Sequence, residues 1–297
     1  MTSSGGGDVV RVVVVTYSPG ETLRTFLDTL GRATSLPVEV VMADNGSTDG
    51  APEEEAAAGR AVLLRTGGNL GYGAAANRGA ANATGTWLVV ANPDIEWTPG
   101  SIDEMITAAR RWPLAGVLGP RIVTTDGRLY PSARALPELG TGIGHALMGW
   151  WWPTNPWTRA YRREDADPVE GPTGWLSGSC LLFRREAFEA VGGFDPAYFM
   201  FFEDVDVCDR LGRAGWQVVH APDALVRHVG GHSWRDQPGI MIKAHHASAI
   251  RYLERRYGRI WQAPLRAVLR GGLGARYLAA RVVRRIGRGA EPTRMAT

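Results

Sequence analysis

The chain has 297 residues, 44% of them hydrophobic and 21% charged, and a formal net charge of +3. That length suits one large α/β domain with appendages, or two small domains, and leaves ample core. No apolar run approaches the roughly 20 residues that span a bilayer, and the two cysteines, Cys180 and Cys208, form no metal-type cluster, so a membrane-spanning protein and a cysteine-based metal site are excluded. Met1 to Asp8 lacks the basic and apolar parts of a signal peptide and is expected to be a disordered N-terminus in a reduced, cytoplasmic protein.

Val9 to Val15 is a continuous β-branched run, as expected of a buried parallel strand. Leu23, Phe26, Leu27 and Leu30 then recur at helical spacing. Val38 to Ala43 reads as the second strand and Ala61 to Leu64 as the third. An Ala-rich helix follows from about Gly73 to Ala83, then a fourth strand, Trp87 to Ala91, and a helix, Ser101 to Trp112. Alternating strands and helices predict an α/β fold with a mainly parallel, Rossmann-like sheet flanked by helices. Ligands of such sheets bind beyond the carboxyl ends of the strands.

Polar residues gather at those ends. The first strand ends in Thr16-Tyr17-Ser18, the second in Asp44-Asn45-Gly46-Ser47-Thr48-Asp49, and the fourth in Asn92-Pro93-Asp94. Each could be turn chemistry alone. Together they build one crevice, in which Asp44 can accept from a pyrimidine imide or from ribose hydroxyls. Asp94 can offer a hard oxygen to a divalent ion on a diphosphate. Gly71-Tyr72-Gly73-Ala74-Ala75-Ala76 matches a dinucleotide fingerprint. The third strand's apolar run ends at Leu64, however, so the tight strand-to-helix turn is missing and a nicotinamide site is not expected.

The middle of the chain, Leu136 to Gly171, is rich in Gly, Pro and Trp and is the expected seat of acceptor choice. Gly174 to Phe183 reads as a strand returning to the sheet, and a helix is expected from Asp206 to Ala214. Before that helix, Phe199-Met200-Phe201-Phe202-Glu203-Asp204-Val205-Asp206 sets three carboxylates behind an aromatic wall. Apolar surroundings disfavour ionisation and poise a carboxylate to take a proton, whereas the structural reading is charge at a helix start. From Arg251 to Arg288 the chain carries eleven Arg and one Glu, +10 in all, leaving −7 for the rest. Interleaved apolar residues make this an amphipathic segment suited to an anionic membrane surface, or a solvated helix. Nucleic acid is not expected as a partner, because the acidic remainder would repel phosphates.

The ordered series Thr16-Tyr17, Asp44 to Asp49, Asn69-Leu70-Gly71-Tyr72-Gly73, Asn92-Pro93-Asp94, Gly192-Gly193-Phe194-Asp195 and Phe202 to Asp206 resembles glycosyltransferase family 2, of GT-A fold, over about Val9 to Trp234. Tyr130-Pro131-Ser132-Ala133-Arg134, Gly174 to Cys180 and the tail bring it nearest the rhamnosyltransferases of that family. The resemblance implies an inverting transferase moving L-rhamnose from dTDP-rhamnose onto a polyprenyl-diphosphate-linked N-acetylglucosamine, in the linker between peptidoglycan and arabinogalactan. Galactofuranose or mannose donors, a non-catalytic nucleotide-sugar-binding protein and a membrane-surface scaffold are the alternatives.

The resemblance further implies roles for single residues. Thr16, Tyr17, Asp44, Asn45, Asn69, Gly71, Asn92 and Asp94 would bind the nucleotide sugar, and Trp175, Ser177 and Gly178 the acceptor. Asp204 would be the base, with Glu203 and Asp206 as alternatives. Asp94 and His228, with His232 as runner-up, would hold Mg or Mn, although Asn92 replaces the first Asp of the commonest metal motif. Residues 9–125 would form the nucleotide-sugar half, 126–238 the acceptor and catalytic half, and 239–297 a basic helical tail on the inner face of the plasma membrane.

Overall fold

A computed structural model describes residues 9–137, 168–230 and 238–288. The N-terminal eight residues, the Trp150-Trp151-Trp152 cluster, Trp157 and His232 lie outside the described residues. The chain divides into two compact units, Met1–Phe199 with Glu203–Ser233, and Met200–Phe202 with Trp234–Thr297.

The first unit is built on β1 (Val10–Thr16), buried along its whole length. It pairs in parallel with β2 (Val38–Asp44) and with β4 (Trp87–Ala91), and β3 (Val62–Arg65) adds beyond β2. Helices α1 (Glu21–Leu30), α2 (Ala51–Ala57) and α3 (Tyr72–Ala80) connect these strands. Side chains of β1 alternate: Val12 and Val14 join Phe26 and Trp97 on one face, while Val13 and Val15 join Phe183 and Phe194 on the other. Full coverage of both faces is why the strand reads as an unbroken apolar run. Each such side chain contributes about 1.5–3 kcal/mol by burial.

After β4 come β5 (Ile95–Trp97), α4 (Ser101–Arg111), β6 (Ala115–Thr124) and β7 (Leu129–Tyr130). Further on are β8 (Ala133–Arg134), β9 (Gly171–Pro172), β10 (Trp175–Leu176), β11 (Cys180–Arg184), α5 (Arg185–Ala190), α6 (Glu203–Arg213) and β12 (Gln217–His228). The sheet runs β3-β2-β1-β4-β11-β6-β12-β5, with β7 on β6 and β9 on β12. The sheet is mixed rather than mainly parallel as expected: β3-β2-β1-β4 and β6-β12 pair in parallel, whereas β11 is antiparallel to both its neighbours, β5 and β9 to β12, and β7 to β6.

Two further sequence expectations change. The single strand expected over Gly174 to Phe183 is two, because Ser177-Gly178-Ser179 breaks it; β10 pairs with β8 in a separate two-stranded sheet. The helix expected from Asp206 begins at Glu203, so Glu203, Asp204 and Asp206 all fall in its first turn, where the helix dipole favours negative charge.

The second unit contains α7 (Pro238–Arg256), a 3-10 turn (Ile260–Gln262) and α8 (Ala263–Arg288). Arg270 Nε pairs with Glu254, and Arg266 Nη1 donates to the carbonyls of Tyr257 and Arg259, each at 2.8 Å. Met200–Phe202 belongs to this unit. Phe201 and Phe202 are consecutive non-glycine residues at φ 66°, a conformation that costs on the order of 1–2 kcal/mol each. Their rings pack on His245 at 5.5 and 5.4 Å, and Ser248 Oγ donates to the Met200 carbonyl at 2.9 Å. Among the described residues no helix is long and apolar enough to cross a membrane.

Candidate active site

Register alone brings the first two strand ends together, since Thr16 lies opposite Asp44. Thr16 Oγ1 donates to Asp44 Oδ1 at 3.0 Å, the Ser47 amide donates to the same oxygen at 3.1 Å, and the Ser47 hydroxyl donates to it as well. Asp44 is 1% exposed. Its carboxylate therefore holds the turn that follows β2, a structural use of the Asp-Asn-Gly-Ser sequence. Asn45 continues the stitching: Nδ2 donates to the Gly71 carbonyl at 3.2 Å, and Oδ1 accepts from the Leu70 amide at 3.2 Å. Asn69 Oδ1 accepts from the Gly71 amide at 3.1 Å. Gly71 has φ 86°, and a Cβ there would lie 2.1 Å from the Phe199 carbonyl oxygen, so only glycine fits. Tyr17, 41% exposed, presents its ring to solvent beside this loop.

The β4 end forms a second corner. Asp94 Oδ1 lies 3.1 Å from Nε2 of His228, the last residue of β12, and the Val229 amide donates to the Asp94 carbonyl at 3.0 Å. The Tyr130 ring stands edge-on to the imidazole at 5.8 Å. The Asn92 amide donates to the Ser179 carbonyl at 2.9 Å, tying this corner to the turn before β11.

The same turn holds Asp204. Its Oδ2 accepts from the Gly178 amide at 2.9 Å and its Oδ1 from the Val205 amide at 2.8 Å. A Cβ at Gly178 would meet Asp204 Cβ at 3.3 Å, tighter than most contacts, so glycine permits this approach. Thus Asp204 and Asn92, more than a hundred residues apart in sequence, are held by neighbouring residues of one turn, Gly178 and Ser179. Ser177 lies in that turn too, its Oγ 3.1 Å from Ser179 Oγ.

Asp206 is committed elsewhere. Arg210 Nε donates to its Oδ2 at 2.6 Å and the Tyr198 hydroxyl to Oδ1 at 3.4 Å. Arg210 also donates to the carbonyls of Val191 and Gly193, so this buried ion pair braces the Gly192-Gly193 turn. Among the described residues, no cluster of three or more His, Cys, Asp or Glu side chains forms a complete metal shell.

The model of the family described as glycosyl transferase family 2 matches residues 11–192. The chain belongs to glycosyltransferase family 2. This transferase is 52% identical over 281 residues to the N-acetylglucosaminyl-diphospho-decaprenol L-rhamnosyltransferase of Mycobacterium tuberculosis H37Rv, covering 91% of this chain and 92% of that protein. It is 38% identical over 82 residues to rhamnosyltransferase WbbL of Escherichia coli K12, covering 28% of this chain and 31% of that one. Among solved structures, that of GalNAc-T7 with UDP, GalNAc and Mn2+ superposes with a TM-score of 0.60 at 17% identity, over 83% of this chain and 47% of that one. The fold is GT-A, and the protein is an enzyme, a glycosyltransferase.

The transferase's two adjacent acids differ in environment. Asp204 has amide donors on both oxygens, whereas Glu203 Oε2 is buried with no hydrogen-bond partner among the described residues. Burial, then the Asp204 charge, pushes Glu203 up to about 8. Burial also raises Asp204, against the pull of its amide donors. The pair therefore favours holding one proton, and Glu203, which lacks the amide donors of Asp204, is the member on which it is favoured. An unfolded glutamate releases its proton near 4.5, so the folded state binds the extra proton between these values. Stability should fall as pH rises through that window. Glu203→Gln should remove the slope, matching wild type near pH 5 and melting several degrees higher at pH 9. Thermal melts across pH would check this; an unchanged slope would place the titration on another group.

Sequence reasoning missed Tyr72. Its hydroxyl donates to the Gly178 carbonyl at 2.7 Å, so a single residue, Gly178, links the phenol to the Asp204 carboxylate. Burial holds the phenol in its protonated, donating form. The available signal was a lone aromatic residue at the head of an Ala- and Gly-rich helix.

Proposed function

We propose that this enzyme transfers L-rhamnose from dTDP-rhamnose to a hydroxyl of N-acetylglucosaminyl-diphospho-polyprenol, inverting the anomeric centre, in construction of the linker between peptidoglycan and arabinogalactan. The reading is carried by the Gly178 turn, which anchors the Asp204 carboxylate beside the Asp94–His228 corner. Such a pairing sets a proton acceptor next to a place for a leaving diphosphate, and the extent of similarity to the mycobacterial L-rhamnosyltransferase supports the choice of sugars.

In this reading Tyr17 and the turn held by Asp44 and Thr16 receive the thymine and ribose. The acceptor hydroxyl gives its proton to Asp204 as its oxygen bonds to the anomeric carbon from the face opposite the diphosphate. The carbon–oxygen bond to the donor breaks and its electron pair leaves on dTDP. Protonated Glu203 leaves Asp204 as the ionised member of the pair, the one able to accept that proton. The side-chain donors Asp94 and His228 suit a divalent ion such as Mg or Mn, the rest of whose shell would come from diphosphate oxygens and water. When bound, the ion supplies positive charge against the charge developing on the leaving group. A panel of nucleotide sugars, assayed with N-acetylglucosaminyl-diphospho-polyprenol and with the product linkage determined, tests the reading. A clear preference for a donor other than dTDP-rhamnose would overturn it.

The second unit supplies access to a lipid acceptor. Ile260, Trp261 and Val268 are 91%, 70% and 72% exposed around the start of a basic amphipathic helix, a composition that favours an anionic inner membrane surface. Replacing Arg276, Arg281, Arg284 and Arg285 by Gln should weaken binding to anionic vesicles at least about tenfold, at roughly 1 kcal/mol per basic residue near the surface. Binding should also fall as salt rises. Vesicle sedimentation reads both effects, and unchanged binding would leave the tail a solvated helix.

A further inference from the structure

Beyond Gly178, the β8–β10 ribbon places Arg134 directly opposite Trp175. The guanidinium lies over the indole at 5.4 Å from the ring centroid, and its Nε donates to the Pro131 carbonyl at 3.0 Å. Those two contacts fix the plane of the side chain and leave both terminal nitrogens, with no ion pair to Arg134 among the described residues. The Trp175 Nε1 is buried and likewise has no acceptor among the described residues, which is costly for a donor that nothing approaches. The ribbon is itself held rigid: the Ser177 amide donates to the Ser132 carbonyl at 2.8 Å, and Ser132 Oγ donates to the Pro120 carbonyl at 3.0 Å.

We infer that Arg134 and Trp175 form an anion subsite for the diphosphate of the polyprenyl-linked acceptor. The inference rests on the acceptor proposed above and adds the group that recognises it. An aromatic-backed guanidinium whose two terminal nitrogens have no partner among the described residues matches paired phosphate oxygens. The contacts also order the site. From the Asp94 corner they pass through Ser179 and Gly178, which holds Asp204, to Ser177 and then to the Trp175–Arg134 pair. Along the chain, the residue that holds Asp204 therefore lies between the one tied to Asn92 and the Trp175–Arg134 pair. The acceptor has the same layout, a nucleophilic hydroxyl on one side of a sugar ring and a diphosphate on another. Arg134 is thus a specificity residue that separates a lipid-diphosphate sugar from a simple glycoside, and its charge also favours ionised Asp204.

The test uses two acceptors, geranyl-diphospho-N-acetylglucosamine and octyl N-acetylglucosaminide, with wild type, Arg134→Gln and Arg134→Lys. Wild type should prefer the diphosphate acceptor, and the ratio of kcat/KM values should fall about tenfold or more in Arg134→Gln, with partial recovery in Arg134→Lys. Taking the ratio cancels any general effect on Asp204. An equal loss on both acceptors would overturn the subsite and make Arg134 a residue that merely positions the base. A rise in donor KM with an unchanged acceptor ratio would assign the guanidinium to the donor's diphosphate and overturn it equally. Calorimetric binding of the two acceptor analogues runs alongside. If wild type binds the diphosphate analogue more tightly and Arg134→Gln erases the difference, the subsite stands even where no transfer occurs, and only the proposed reaction fails.

Discussion

Asp204→Asn should lower turnover at least about 100-fold while leaving donor affinity nearly unchanged. Asparagine keeps the shape and can still accept the Gly178 amide through its carbonyl oxygen, so the turn that anchors Asn92 should persist. The variant has no group to receive the acceptor proton. In wild type the rate should fall as pH drops, because the base works only when ionised, and burial sets that acid limb above the ordinary aspartate range. In Asp204→Asn the limb should disappear from whatever activity remains. Steady-state kinetics across pH with a soluble acceptor measure both, and near-wild-type turnover would move the base to Glu203.

Asp94→Ala is expected to do something different. It removes one of the two side-chain donors at the β4 end, so donor binding should weaken together with rate, each by about tenfold or more. Chelator should abolish wild-type activity, and added Mg or Mn should restore it. The contrast is diagnostic: loss in kcat alone at Asp204, loss in donor affinity as well at Asp94. Full activity in chelator would overturn the metal reading and leave the Asp94–His228 pair as a strand-end contact.

How much of this was legible in sequence follows from the range of each interaction. The β1, β2 and β4 strands, with their polar ends, could be read because fully buried parallel strands leave unbroken apolar runs and because turn residues mark where they stop. The position of Glu203 and Asp204 at a helix start was partly legible, although the aromatic residues before them hid where the helix begins. What could not be read was partnership. Asp44 appears in sequence as a ligand-binding acid, yet its carboxylate is engaged by Thr16 and Ser47; Asp206 appears equivalent to Asp204, yet Arg210 claims it. Gly178, Tyr72 and the Arg134–Trp175 stack depend on segments far apart in the chain, and no local pattern of residues encodes such contacts.

The place of β11 in the sheet also bears on how the enzyme is made. This strand is the last of the central trio to be synthesised, yet it fits between β4 and β6, which precede it by some 90 and 60 residues. Until it arrives, both neighbours expose unpaired backbone along an inner edge, the kind of edge that templates pairing with other chains. Closing those loops before any ladder bonds reward it makes the step slow. A nascent chain halted before Cys180 would therefore be prone to aggregate on the ribosome and to engage chaperones. Because the turn before β11 also anchors Asp204, placement of the proposed base and escape from that hazard arrive in the same folding event.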